Sequence, residues 1–257
     1  MITSERIQSY FREVARRQYE VVELAPFTLF FHPTDPLPFF NYAIPDAPEA
    51  GVTPARLAAL RAAFYTRGRI PRFELVEAFA PQLGGALESA GFEAEPPTCL
   101  MILDPANAKP APPDVQGLRI DILTKDSHFE EARRLLHLQR TAFGMNDADQ
   151  VSEADARFFV DTLGAGRGFV AWLGDEPVGG GALLPPTDGI AEVAGIAVIE
   201  KHRRHGIGAA LTAAAVHEAR AAGVSCAVLS AADERAGRVY EGLGFRTFGA
   251  TRFYRDP

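Results

Sequence analysis

The sequence predicts an α/β (α+β) chain in two domains, residues 1–110 and 117–257, each a sheet flanked by helices. Three observations lead there. Strand-like runs alternate with helical periods along the chain. Residues 190–245 form the best-defined stretch: an apolar strand, a basic glycine turn, an alanine-rich helix, a second strand, and a helix ending in Tyr-x-x-x-Gly-Phe. Between the halves, residues 104–117 carry Pro105, Pro110, Pro112 and Pro113 among alanines and polar residues, which is linker composition.

Composition sets the outer limits. With 257 residues, 47% hydrophobic and 23% charged, the chain is globular and long enough for two ordinary domains. A formal net charge of −7, with no long basic run, argues against a nucleic-acid partner. Cys99 and Cys226 show no C-x-x-C spacing, so a reducing compartment without disulfides is expected. Met1 to Tyr19 is too polar for a signal peptide, and no run approaches the roughly 18 apolar residues of a membrane span. The expectation is a cytoplasmic protein with no membrane partner, as a monomer or homodimer.

In the first half, Ser4 caps an expected helix through Tyr19, with Ile7, Phe11, Val14 and Ala15 on one face. Val21–Leu24 and Phe27–Phe31 read as strands, and Phe39–Ile44 as another after Pro33, Pro36 and Pro38. Thr53-Pro54 opens a helix as cap and first helical residue, followed by Leu57, Leu60, Ala63 and Phe64 in helical period. A strand over 73–78, a helix over 81–90 closed by Gly91-Phe92, and a strand over 99–103 complete the half.

In the second half, 118–123 alternates as a strand. The helix over 128–143 runs through Phe129, Ala132, Leu135, Leu136 and Gln139, and Ser152 caps a second one over 153–163. Strands over 168–173 and 177–184 are joined by Gly174-Asp175-Glu176, a hairpin signal. Then come the strand ending in Ile196-Ala197-Val198, a helix from Gly206 to Gly223, a strand over 226–231, a helix ending before Gly244, and a last strand over 247–254.

The turn Arg203-Arg204-His205-Gly206-Ile207-Gly208-Ala209 is the chemically informative part. The first four N–H groups of a helix have no internal partner, and the macrodipole places partial positive charge there. Two glycines remove Cβ atoms that would hold an anion off those amides, and Lys201, Arg203 and Arg204 add formal charge. This is a phosphate or pyrophosphate cradle; taken alone, it is also a solvated basic turn whose glycines serve geometry. A P-loop would need G-x-x-x-x-G-K-[ST], which is absent, and a dinucleotide fingerprint needs a third glycine where Leu211 stands.

The spacing Arg203-x-x-Gly206-x-Gly208 resembles the acyl-CoA signature (Gln/Arg)-x-x-G-x-(G/A) of the GNAT superfamily of N-acyltransferases. The preceding strand resembles that family's central strand, and Asp233-x-x-Ala236-x-x-x-Tyr240-Glu241-x-x-Gly244-Phe245 its following motif. The resemblance covers residues 117–257 and implies a mixed, mostly antiparallel GNAT sheet flanked by helices. It also implies an acetyl-CoA-dependent N-acetyltransferase. Backbone N–H groups from Arg204 to Ala209 would face the pyrophosphate. Ile196, Ala197 and Val198 would pair with the pantetheine arm, with the Val198 N–H polarising the thioester carbonyl. Tyr240 would be the general acid for the departing thiolate, and Glu192 the base, through water. Asp233 stands where the family often has asparagine; both cap helices. The acceptor would be a small-molecule or peptide amine, and no metal is implied. The alternative is a non-catalytic acyl-CoA-binding sensor or interaction module.

The first half echoes this order faintly, predicting a tandem of two GNAT-like domains. Leu87-Glu88-Ser89-Ala90-Gly91-Phe92 parallels Tyr240 to Phe245, but Gly51-Val52-Thr53-Pro54 replaces the basic turn and Leu87 replaces the tyrosine. A degenerate domain that walls the substrate pocket or stands in for a dimer partner is the expectation, an unrelated substrate domain the competing one. Asp147, Asp149, Glu153 and Asp155 offer an acidic loop for a cationic amine or merely a solvated one. His202 and His205 lack a third partner for a metal, and Cys226 sits in an apolar strand.

Overall fold

The computed structural model describes residues 1–109, 115–145 and 150–257. The chain forms two compact units, Met1–Leu100 with Phe248–Pro257, and Met101–Thr247.

The first unit begins with α1 (Ser4–Gln18), capped one residue earlier than the sequence suggested. Thr3 is extended and its side chain accepts from the Arg6 N–H, while Ser4 is already helical. Strands β1 (Glu20–Leu24), β2 (Phe27–Phe31) and β3 (Asn41–Pro45) form an antiparallel meander. Every residue of β2 is buried, as a central strand requires. The run 39–44 is not one strand: Pro38–Phe40 is a 3-10 turn, and pairing starts at Asn41. The buried Asn41 carboxamide donates to Asp35 O and Leu37 O, so it folds the preceding loop back on itself.

Next, α2 (Pro54–Tyr65) buries Leu57, Leu60 and Phe64 and crosses over to β4 (Arg72–Val76), parallel to β3 at Ala43 and Phe73. The C-terminal ends of β3 and β4 are tied from α1. Gln8, 1% exposed, accepts the Val76 N–H at 2.8 Å, and Arg12, one turn on, donates to Pro45 O at 2.6 Å. After α3 (Leu83–Ser89) and the short β5 (Glu93–Ala94), strand β6 (Thr98–Leu103) carries the chain out of this unit.

The second unit contains β7 (Leu118–Leu123), α4 (Phe129–Ala142), α5 (Glu153–Leu163), β8 (Arg167–Leu173), β9 (Glu176–Leu183) and β10 (Ile190–Val198). It continues with α6 (Ile207–Ala221), β11 (Cys226–Ala231) and α7 (Glu234–Gly242). Its sheet order is β11-β10-β9-β8-β7, with β6 beside β11. β7 to β10 are antiparallel neighbours, and β10 and β11 are parallel, joined by α6. Gly180 of β9 lets α4 close on the sheet: a Cβ there would lie 2.4 Å from Leu135 Cδ1. The meander, helical crossover and parallel strand of the first unit recur here, which is the tandem topology expected from the echo. The largely antiparallel, helix-flanked sheet is also as expected.

The last strand, β12 (Arg246–Arg255), was read from the sequence as the end of the second half. From Phe248 it belongs to the first unit, where it runs antiparallel to β4 from Thr251 opposite Val76 to Arg255 opposite Arg72. It ends in a clamp: Asp256, 5% exposed, accepts from Arg61 Nε at 3.0 Å, from its terminal nitrogen at 2.7 Å, and from the Tyr65 hydroxyl at 2.5 Å.

Candidate active site

In the second unit, β10 and β11 pair only from Ile190 opposite Cys226 to Glu192 opposite Val228. Beyond that register β10 continues to Val198 and β11 to Ala231, so a gap opens at the carboxyl ends of two parallel strands. Such crevices are the usual ligand sites of sheets with parallel strands.

On its other side β10 stays on β9, but through a bulge. Ala194 faces Ala182 and Ala197 faces Gly180, so Gly195 and Ile196 together oppose Gly181. Gly195 has φ +61°, which glycine adopts without strain. Past the bulge the Ile199 N–H donates to Val178 O at 2.9 Å. Because backbone groups alternate along an extended strand, Val198 turns its N–H and C=O away from β9 into the gap.

The turn that follows presents amides. Arg204 and Gly206 have φ +67° and +83°, and α6 starts at Ile207 with its first internal bond from the Ala210 N–H to Gly206 O. Among the described residues, the N–H groups of 204–209 have no backbone acceptor. Such amides at a helix N-terminus are suited to an anion. The two glycines differ in kind. Gly206 is required by its positive φ, whereas a Cβ on Gly208 would meet Val198 Cγ2 at 3.8 Å and Ile196 Cγ2 at 4.0 Å, both ordinary contacts.

The basic side chains also separate. Arg203 donates to Val198 O at 3.1 Å and to Ala142 O at 2.8 Å, so it fastens the end of α4 to the end of β10 while keeping its charge beside the turn. Lys201 is spent on Glu176 at 2.6 Å and holds that carboxyl below the usual carboxylate range. Arg204 is exposed.

A cavity of about 500 Å³ joins these parts. Every residue of the sequence-derived site lines it except His205 and Glu192. The His205 ring lies 3.2 Å from His202 O. Glu192 is half-buried at the last position of β10 that pairs with β11, its carbonyl accepting from the Leu184 N–H. Sequence reasoning missed Phe143, at the end of α4, and Arg235 and Val239 of α7. Phe143 and Val239 are exposed, 56% and 41%, while lining the cavity. For α7 a signal existed: Ala236, Val239 and Tyr240 stand three and four residues apart, one helix face.

Tyr240 is half-buried, edge-on to Phe245 with centroids 6.1 Å apart, and its hydroxyl has no hydrogen-bond partner among the described residues. Burial, and then the charge of Asp233, raise its pKa above the ordinary tyrosine value. Asp233 caps α7, accepting the Ala236 N–H at 2.7 Å.

The acidic loop divides. Asp147 and Asp149 lie outside the described residues. Glu153 pairs with Arg157 at 2.7 Å and Asp155 forms a capping box with Ser152, so both serve α5. Among the described residues no group of three or more His, Cys, Asp or Glu side chains is placed to hold a metal, and no helix is long and apolar enough to cross a membrane.

A sequence model of the acetyltransferase (GNAT) family matches residues 132–245, the span from α4 to the end of the Tyr240 motif. No curated protein sequence matches the chain. Among solved structures, the chain is similar to a GCN5-related N-acetyltransferase from Kribbella flavida at 25% identity and TM-score 0.79, covering 100% of this chain and 96% of that one. It is also similar to a tandem GNAT protein from the clavulanic acid biosynthesis pathway, solved without AcCoA, at 18% identity and TM-score 0.61, covering 89% and 77%. A GCN5-related N-acetyltransferase from Sphaerobacter thermophilus shares the fold at 16% identity and TM-score 0.60, covering 95% and 84%. The family match lies over the gap, the amide turn and the Tyr240 helix, and with the Kribbella flavida structure it supports placing residues 132–245 in the GNAT superfamily.

Proposed function

We propose that the second unit is an acetyl-CoA-dependent N-acetyltransferase in which a primary amine, on a small molecule or a peptide, attacks the thioester directly. The observation that carries this reading is one cavity bordered by the helix N-terminal amides, the unpaired side of β10 and Tyr240. The GNAT family match over residues 132–245 supports acyl-CoA-dependent transfer in general. The pyrophosphate would lie on the amides of 204–209 and the extended arm beside Ile196–Val198, in the manner of an added strand.

The chemistry follows from those positions. The Val198 N–H donates to the thioester oxygen as charge develops there. The amine nitrogen bonds to the carbonyl carbon, the C–S bond breaks, the sulfur takes the Tyr240 proton, and the proton shed by the acylated nitrogen restores the phenol. Tyrosine suits this because a buried phenol stays protonated at neutral pH. An alkyl ammonium has a pKa of about 10.4, so the amine must first lose a proton. Glu192, one turn of strand before the bulge, is the proposed base, through water. The rival reading, acyl-CoA binding without turnover, draws on the position of Glu192 outside the cavity lining.

Calorimetry with acetyl-CoA tests the site. The wild type should bind one equivalent per chain. In the first unit Pro54 has no N–H to offer, the Thr53 side chain caps its own helix, and α1 ties the strand ends where an arm would lie. Two equivalents would remove that argument. Gly206→Glu should weaken binding by on the order of 100-fold or more, since a like charge against the pyrophosphate costs several kcal/mol. Unchanged affinity would move the cofactor off this turn. Thiol release across an amine panel then separates enzyme from sensor.

A further inference from the structure

The bulge in β10 is held from outside the sheet. Leaving the ladder, the Gly195 carbonyl accepts from Gln139 Nε2 of α4 at 2.8 Å, a contact between residues 56 apart in sequence. We propose that Gln139 is a positioning residue for acyl transfer, fixing through Gly195 the bulge that aims the Val198 N–H into the gap. This rests on the acetyltransferase reading of the same site.

Register gives the inference its weight. Without the bulge, Gly195 would face Gly181, Ile196 would face Gly180, and Val198 would reach Val178. The alternation would invert, sending the Val198 N–H to β9 and the Ala197 N–H into the gap. One inserted residue therefore decides which amide meets the thioester.

The fit around that residue is close on both faces. A Cβ on Gly195 would lie 2.4 Å from Gln139 Nε2, and a Cβ on Gly181 would lie 2.4 Å from Ile196 Cδ1. The same helix grips the strand again one turn later, where Ala142 O accepts from Arg203, which also donates to Val198 O. The last turn of α4 thus brackets the segment 195–198 from both ends. Gln139 does not line the cavity, so any effect on catalysis passes through the strand.

Gln139→Leu removes the donor at similar volume. The expected result is a fall in kcat of on the order of 10–100-fold, somewhat less than loss of an oxyanion donor itself. The affinity for desacetyl CoA should hold within about twofold, because the amide turn is untouched. In parallel, the infrared carbonyl stretch of bound 13C-acetyl-CoA should return toward its free value, a signature that general loosening of α4 would not produce. Should Gln139→Leu fail to fold, Gln139→Glu keeps the shape and removes the donor at neutral pH, and Gly181→Ala disturbs the bulge through Ile196. An active wild type with unchanged kcat and stretch in these variants overturns the proposal. A wild type that neither binds acetyl-CoA nor releases thiol overturns instead the reading beneath it.

Discussion

Tyr240→Phe should lower kcat by roughly 10²–10⁴-fold, the usual yield of a positioned acid, and leave the affinity for acetyl-CoA within about twofold. The substitution keeps the ring that packs on Phe245 and removes only a hydroxyl with no protein partner among the described residues, so the fold should not register it. The pH dependence carries a sign. Burial and then Asp233 raise the phenol's pKa, so the alkaline limb of kcat should lie above the ordinary tyrosine value of about 10. Asp233→Asn keeps the cap and removes the charge, and should move that limb down. A kcat unchanged in Tyr240→Phe takes the residue out of the role.

The largest expected effect on stability is at Asp256. Its carboxylate is nearly buried and accepts from both Arg61 and Tyr65, and Arg61 also stacks over Phe92 at 4.8 Å. Asp256→Ala leaves that guanidinium without its carboxylate, with only the hydrogen bond to Ala90 O remaining. Breaking a buried pair costs about 3–5 kcal/mol; with Arg61 31% exposed, about 2–4 kcal/mol is expected here. For a unit of this size the melting transition should fall by on the order of 10 °C. Burial alone would raise the pKa of Asp256, but the hydrogen bonds from Arg61 and Tyr65 outweigh it and the value is lowered. Its contribution is therefore present above the unfolded carboxylate pKa and lost as pH falls through the folded one. The wild type and Asp256→Ala should converge in stability in strong acid. A melting curve shifted by less than about 2 °C at neutral pH would show the clamp to be ornamental.

What could be read in advance was local. Thr53-Pro54, Gly206, Gly223 and the Tyr240 motif mark helix ends by chemistry that acts within a few residues, and the structure has helices there. Pairings between distant strands were not legible. Nothing in 98–103 or 246–255 names a partner strand, so the departure of β6 from the first unit and the return of β12 to it came only with the structure. The bulge was hidden because Ala194-Gly195-Ile196 reads as an uninterrupted strand. Gln139 fell on the apolar stripe of α4 by spacing, and its polar end is explained only by a carbonyl on another element. Arg203 was read as charge for a phosphate; both of its hydrogen bonds go to carbonyl oxygens of the protein.

The return of β12 bears on how the protein is made. Arg252 meets Glu77 across 175 residues of chain, and at about 5–20 residues per second that span takes a ribosome roughly 10–35 s to add. Throughout that interval β4 has no β12 beside it, and a bare strand edge invites pairing with whatever chain is near. Cutting the gene at the proline-rich join would deliver one fragment lacking its closing strand and another carrying a strand without its sheet.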